Sequence, residues 1–201
     1  GKFRGPITFR DELAQSINIP AVKVLYLAGL SETIKLARSL GIESLNQDAS
    51  HYGLSLVLGG GEVTLLEETA AYGVFSQDGV YNKPTALLSI TSNSGELVHE
   101  FTKNPQEVLA AQIARLITDV LSDNEARAPI FGLNSPLYMK DIPSAAKSGT
   151  TQNYRDAWTV GYTPQISVGV WVGNNNNSEM DKGAVVKAAA PSWNEFVLKE
   201  Y

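Results

Sequence analysis

The stretch Lys147-Ser148-Gly149-Thr150 combines an ammonium group, two hydroxyls and a glycine within four residues. On a β-strand, side chains alternate between faces, so Ser148 and Thr150 share one face about 6–7 Å apart while Lys147 leaves from the other. Gly149 removes the side chain that would otherwise keep another backbone away. Such a strand edge can bind an anionic group and pair with an extended peptide.

A second polar motif, Ser16-Ile17-Asn18, places a hydroxyl and an amide near the start of the chain. Alone, it is explained by the ability of Ser and Asn to bond backbone groups where a helix gives way to a turn. Together, the two motifs match the Ser-x-Asn element and Lys-Thr-Gly-type strand that accompany an S-x-x-K helix in penicillin-binding proteins and serine β-lactamases. The pairing predicts that Ser16 and Lys147 meet in one site.

Composition excludes several other classes of function. The 201 residues carry a formal net charge of −5, without the clustered cationic face that a nucleic-acid groove needs. Cysteine is absent, which excludes disulfides, thiolate zinc sites and a cysteine nucleophile. The two histidines, His51 and His99, match no metal-ligand spacing. We therefore expect no cofactor, no metal ion and no nucleic-acid partner.

Capping signals and hydrophobic periodicity predict a helical first half. Thr8 with Asp11 and Thr64 with Glu67 resemble capping boxes, the second following a run of three glycines. Pro20 is expected to end the first helix because the residue before a proline disfavours helical backbone. The predicted helices run from Thr8 to about Ser16, over Ala21–Leu30, over Ser31–Leu40, and from Thr64 to Phe75.

After Pro84 the pattern changes to strands, with helices on either side. We predict an α/β (α+β) fold in which an antiparallel sheet is flanked by helices, and we treat residues 1–201 as one unit. The predicted elements are a hairpin of Thr85–Thr91 and Glu96–Phe101, a long helix opened by Asn104-Pro105-Gln106-Glu107, a polar loop over Ser122–Ala128, strands over Ser144–Thr151, Ala157–Tyr162 and Ile166–Gly173, and a helix over Ala189–Lys199.

Longer stretches show that the chain resembles the C-terminal part of the transpeptidase domain of a class A, bifunctional penicillin-binding protein. The resemblance implies a penicillin-binding transpeptidase or serine β-lactamase-like fold, incomplete here, with residues 1–201 forming the C-terminal portion of one domain. The matching stretches are spread in order over nearly the whole length: Ala14–Lys23, Leu58–Thr64, Leu121–Pro129, Ala145–Thr151, Asp156–Trp158, Val160–Pro164 and Gly169–Gly173.

The resemblance implies a peptidoglycan D,D-transpeptidase, which cross-links the cell wall by acyl transfer through a serine ester and is inhibited by β-lactams. The Ser16 hydroxyl would then relay a proton to or from the leaving amine. Asn18 would hold the peptide carbonyl of the substrate. Lys147 would supply positive charge beside Ser16 and near the substrate carboxylate, favouring proton relay at neutral pH.

The resemblance also assigns the substrate-binding strand, Ser148, Gly149, Thr150 and Thr151. Ser148 and Thr150 would bond the terminal carboxylate of a D-Ala-D-Ala stem peptide, or of penicillin in its place. The backbone N–H of Thr150 would be one of two oxyanion donors, a role that contributes about 3–4 kcal/mol to lowering a barrier. Ser148 replaces the family's more usual threonine and keeps its hydroxyl.

The family's S-x-x-K nucleophile is missing upstream of Ser16. One S-x-x-K string exists, Ser144-Ala145-Ala146-Lys147. On a strand, however, its Ser and Lys point to opposite faces about 10 Å apart along the chain, so Ser144 is not expected to be that nucleophile. We expect the nucleophile in an N-terminal remainder of the domain, which another chain could carry, and we expect this fragment alone to be inactive.

Localisation follows from the same resemblance. No apolar run approaches the roughly 18 residues of a membrane span. We therefore expect the extracytoplasmic face of the bacterial membrane, with an anchor outside this chain. Two alternatives stay open: a non-catalytic module that binds peptidoglycan peptides or penicillin, and an unrelated domain with chance motifs, in which Ser16 and Lys147 would lie far apart.

Overall fold

The computed structural model describes residues 5–201, and for residues 182–187 it describes only the backbone. The helices are α1 Phe9–Gln15, α2 Asn18–Ala28, α3 Leu30–Ser39, α4 Ala49–Tyr52, α5 Leu65–Ser76, α6 Ala111–Ser122, α7 Asn124–Phe131 and α8 Lys182–Glu200. The strands are β1 Val80–Tyr81, β2 Ser89–Thr91, β3 Leu97–Glu100, β4 Gln106–Glu107, β5 Ala145–Thr150, β6 Asp156–Tyr162 and β7 Ser167–Gly173. Short 3₁₀ turns cover Gly53–Leu58 and Gln152–Tyr154.

The last three strands form an antiparallel sheet in the order β5-β6-β7, as predicted. Helix α5 packs against β6 and β7, and α8 packs against β5, β6 and β7. The α8 side is centred on Trp193, which is fully buried and donates its indole N–H to the carbonyl of Val168 at 3.2 Å. A Cβ at Gly161 would lie 2.5 Å from the Trp193 ring, so only glycine fits this point of β6.

Helix α1 is held against α6 and α7 by charge. Thr8 caps α1 by accepting the backbone N–H of Asp11 at 3.0 Å. The guanidinium of Arg10 donates to the carboxylates of Asp119 and Asp123. Asp123 also caps α7 by accepting the backbone N–H of Ala126 at 2.8 Å. These contacts fix the first turn of α1, and at its other end, next to Ser16, the side-chain amide of Gln15 donates to the backbone carbonyl of Ala126 in α7 at 3.1 Å.

Several sequence-based boundaries were wrong. Gln106 and Glu107 pair with β1 as strand β4, so the long helix begins only at Ala111; backbone pairing with a distant segment overrides the Asn-Pro capping signal. The polar stretch after Ser122 forms α7 because the Asp123 side chain caps it. Pro20 lies in the first turn of α2, where a proline is tolerated. The C-terminal helix begins at Lys182 rather than Ala189.

The capping box at the start of α5 predicts a measurable contribution to stability. Thr64 accepts the backbone N–H of Glu67 at 3.2 Å, and the Glu67 carboxylate accepts the backbone N–H of Thr64 at 3.4 Å. Thr64→Ala should lower the free energy of unfolding by about 1 kcal/mol in urea titrations. The control Thr102→Ala, at an exposed loop position, should change it by less than about 0.5 kcal/mol. Equal losses in the two variants would contradict this role.

Candidate active site

Ser16 occupies a strained backbone position between α1 and α2. It has φ 59° and ψ 48°, the left-handed region that costs residues other than glycine about 1 kcal/mol or more. The backbone N–H groups of Ser16 and Ile17 donate to carbonyls of the last turn of α1. This turn exposes the Ser16 side chain and is followed directly by Asn18, also exposed, at the start of α2.

The structure brings Ser16 and Lys147 into direct contact across 131 positions of sequence. The Lys147 ammonium donates to the Ser16 hydroxyl oxygen at 2.7 Å and to the backbone carbonyl of Ser148 at 2.7 Å. The predicted meeting of the two motifs is therefore observed. A wide separation of these groups would have supported the alternative of chance motifs, and the observed distance counts against it.

The environment of Lys147 makes its ammonium a readier acid than an ordinary lysine. Burial lowers the pKa of Lys147 to about 8; the negative charge of Glu12 acts to raise this pKa, and the positive charge of Arg127 acts to lower it. Burial raises the pKa of Glu12 above its ordinary value, and Lys147 opposes that shift. Lys147 is thus mostly protonated at pH 7, but its pKa is close enough to 7 for the ammonium to release a proton readily.

The segment Ser148-Gly149-Thr150 lies at the edge of the sheet. Within the described residues β5 pairs with β6 alone, so no strand lies along its other side. Gly149 and Thr150 are exposed and Ser148 is half-buried. A Cβ at Gly149 would meet only the Cβ of Trp158 at 3.5 Å, an ordinary contact. Glycine at this position therefore leaves room beside the strand edge that packing among the described residues does not fill.

Thr151, predicted to bind substrate, has an internal hydrogen-bond partner. Its hydroxyl donates to the Asp156 carboxylate at 2.6 Å and accepts the backbone N–H of Asp156 at 3.0 Å. The other Asp156 oxygen accepts the indole N–H of Trp171 at 2.9 Å. This network closes the β5–β6 hairpin just beyond Thr150, so Thr151 positions the strand end.

Sequence reasoning missed two charged neighbours of Lys147. Glu12 lies four residues before Ser16, one helical turn away, and this spacing was the available signal. Arg127 lies within a stretch that carried the family resemblance, but nothing in its local sequence indicates that its side chain is only 3% exposed. Ser144 precedes β5 and lines a cleft of about 380 Å³ with Ser122 and Tyr138. The hydroxyl that the Lys147 ammonium contacts is that of Ser16, not that of Ser144.

Among the residues that the structure describes, no group of three or more His, Asp or Glu side chains could hold a metal ion. In the same residues, no helix is both long enough and apolar enough to cross a bilayer.

The Lys147 ammonium and the Ser16 hydroxyl thus lie together beside the open edge of β5. The family model described as penicillin binding protein transpeptidase domain matches residues 1–195. The chain belongs to this family. Relatives include penicillin-binding protein 1A of Aquifex aeolicus, 34% identical over 195 residues, which covers 96% of this chain and 26% of that protein. Penicillin-binding protein 1A of Clostridium acetobutylicum is 30% identical over 202 residues, covering 98% and 24%.

Solved structures of related proteins confirm the fold. Penicillin-binding protein 1A of Haemophilus influenzae matches with a TM-score of 0.84 at 22% identity, covering 99% of this chain and 35% of that one. PonA1 of Mycobacterium tuberculosis, solved in complex with penicillin V, matches with a TM-score of 0.78 at 24% identity, covering 97% and 56%. The predicted resemblance and the α+β architecture with antiparallel sheets are therefore confirmed. The chain spans about a quarter of the length of the penicillin-binding proteins 1A from Aquifex aeolicus and Clostridium acetobutylicum.

Proposed function

We propose that this chain is the C-terminal portion of a peptidoglycan D,D-transpeptidase domain that works through a serine ester and is inhibited by β-lactams. The observation that carries the proposal is the 2.7 Å contact between the Lys147 ammonium and the Ser16 hydroxyl, beside the open edge of β5. Membership of the transpeptidase family supports it, and so does the related PonA1 structure with penicillin V bound.

The strand edge would orient the substrate. An extended D-Ala-D-Ala peptide lies along β5, and Ser148 and Thr150 hydroxyls bond its terminal carboxylate while Gly149 allows close approach. The positive charge of Lys147 favours the same carboxylate. Asn18, exposed at the start of α2, donates its side-chain amide to a peptide carbonyl of the substrate. Thr151 keeps the end of this strand in place through Asp156.

The contact between Lys147 and Ser16 would carry the proton. A serine from the remainder of the domain attacks the scissile carbonyl as the lysine of its S-x-x-K helix takes the serine proton, and the negative oxygen that forms accepts the backbone N–H of Thr150. When the C–N bond breaks, Ser16 donates its proton to the leaving nitrogen and takes one from Lys147. The products are a serine ester and a neutral amine, and an acceptor amine or water then releases the acyl group.

The remainder of the domain is the first partner that this proposal requires. It supplies the S-x-x-K helix, either in the same polypeptide or as another chain, and with the anchor it keeps the enzyme at the extracytoplasmic face of the bacterial membrane. The other partners are peptidoglycan stem peptides and β-lactam antibiotics. We use "completed protein" below for this chain together with that remainder.

Intact-mass measurement after incubation with penicillin tests the proposal. The completed protein should gain one covalent penicillin adduct, and this chain alone should gain none because it lacks the nucleophile. A stable adduct on the chain alone would overturn the assignment of residues made here. Reversible binding of penicillin without an adduct on the completed protein would instead favour a non-catalytic peptide-binding module.

A further inference from the structure

Arg127 carries a buried positive charge whose hydrogen-bond partners are backbone carbonyls. Its side chain is 3% exposed, and its guanidinium donates to the backbone carbonyls of Leu121, Leu137 at 3.3 Å and Ala146 at 3.5 Å. Among the described residues, no carboxylate oxygen lies within the 4.0 Å of an ion pair with it. Because carbonyl dipoles carry no net charge, the field of this cation reaches its neighbours.

The nearest functional neighbour is Lys147. Ala146, whose carbonyl accepts from Arg127, directly precedes Lys147 in β5. Arg127 and Lys147 also line the same small cavity, of about 10 Å³, between helices α1, α6 and α7 and strand β5. A space of that size holds at most about one water molecule, so little solvent screens one cation from the other.

We propose that Arg127 is a positioning residue for the proposed transpeptidase: its guanidinium fixes the start of β5, and its charge makes Lys147 a readier proton donor to Ser16. This inference rests on the proposed function for its catalytic consequence. Arg127 touches neither substrate nor the Ser16 hydroxyl, and it acts through Lys147.

The charged groups around Lys147 act in opposite directions. Glu12, on α1, stabilises the ammonium, whereas Arg127, on α7, destabilises it, and burial also disfavours the charged form. The negative charge of Asp123 acts to raise the pKa of Arg127. The Asp123 carboxylate itself accepts hydrogen bonds from Arg10 and from the backbone N–H of Ala126. Removing the charge of Arg127 should therefore raise the pKa of Lys147, and removing the charge of Glu12 should lower it.

The test compares Arg127→Gln with Arg127→Lys in the completed protein. Two quantities are followed against pH: the ¹³Cε chemical shift of Lys147 and the rate of acylation by penicillin. In the unsubstituted protein, both should change with a midpoint near the pKa of about 8, with acylation falling as the ammonium loses its proton. Arg127→Gln should raise both midpoints by about one pH unit, the order expected for loss of one nearby, partly screened unit charge.

Arg127→Lys is the matched control because it keeps the charge and loses the forked hydrogen bonds. Its midpoints should stay at the unsubstituted value even if its stability falls. Equal shifts in both variants would show a structural effect and overturn the charge role. No shift in Arg127→Gln would overturn it too. Glu12→Gln should move both midpoints to lower pH, the opposite direction.

A second measurement covers variants that do not fold. In the unsubstituted protein, the ¹⁵Nε resonance of Arg127 should shift with pH at the same midpoint as Lys147. A resonance that does not shift with pH would overturn the coupling. Failure of the proposed function is recognised separately, because the completed protein would then form no penicillin adduct while the chemical-shift midpoints still report the coupling.

Discussion

Lys147→Met in the completed protein should lower the rate of acylation by penicillin by about 100- to 1000-fold, the usual contribution of a positioned proton-transfer group. The substitution removes the ammonium that donates to the Ser16 hydroxyl at 2.7 Å and leaves a side chain of similar length. Stopped-flow acylation with a chromogenic β-lactam measures the rate. Lys140→Met, at an exposed position seven residues earlier, is the matched control and should leave the rate unchanged.

The stability of the Lys147→Met variant separates chemistry from folding. Because burial lowers the pKa of Lys147 from 10.5 to about 8, the folded state binds this proton less tightly than the unfolded state does. The contribution of Lys147 to stability therefore rises as pH increases from about 8 to about 10.5, and it is least favourable below this window. At pH 7 the Lys147→Met variant should therefore be at least as stable as the unsubstituted protein.

A loss of less than 10-fold in the acylation rate of the Lys147→Met variant would contradict the proton relay.

Ser16→Gly should reduce acylation by a similar factor, about 100- to 1000-fold, because the relaying hydroxyl disappears. It should also relax the backbone, since Ser16 has φ 59° and glycine adopts this conformation freely. Ser16→Ala removes the same hydroxyl but keeps the strain. Urea titrations should therefore show Ser16→Gly to be about 1 kcal/mol more stable than Ser16→Ala, with both variants equally slow.

Asn177→Gly is the control for strain relief without loss of a hydroxyl. Asn177 also has a positive φ, 56°, and lies at an exposed position after β7. Its replacement should leave acylation unchanged. A Ser16→Gly protein that keeps more than a tenth of the unsubstituted rate would show that this hydroxyl is not in the proton path.

Short sequence patterns correctly predicted the helices and strands that are stabilised by interactions between residues close together in the chain. Thr64 and Glu67 bond each other's backbone groups, and the strand that holds Lys147 was predicted within one residue at each end. Gln106 and Glu107 were misassigned because their partners, Val80 and Tyr81, are more than twenty residues away. Strand pairing overrides the capping signal here, and a short window of sequence does not reveal that pairing.

Within the candidate site, residue types were predictable and their surroundings were not. Ser16 and Lys147 were identified from motifs and a family resemblance, and the structure brings them into contact. The hydroxyl of Thr151 donates to Asp156, a partner that the motif did not reveal. Whether a hydroxyl faces a ligand or a neighbouring strand depends on the twist and register of the sheet, which the motif does not encode.

The sequence by itself determined the motifs, the caps, the strand alternation and the family, because these depend on residue identity and near neighbours. Only the tertiary structure decided the left-handed turn at Ser16, the burial of Arg127 and the charges around Lys147. Desolvation and electrostatic interactions depend on distances between segments packed from remote parts of the chain. For that reason, the acidity of Lys147 belongs to the fold and not to the motif.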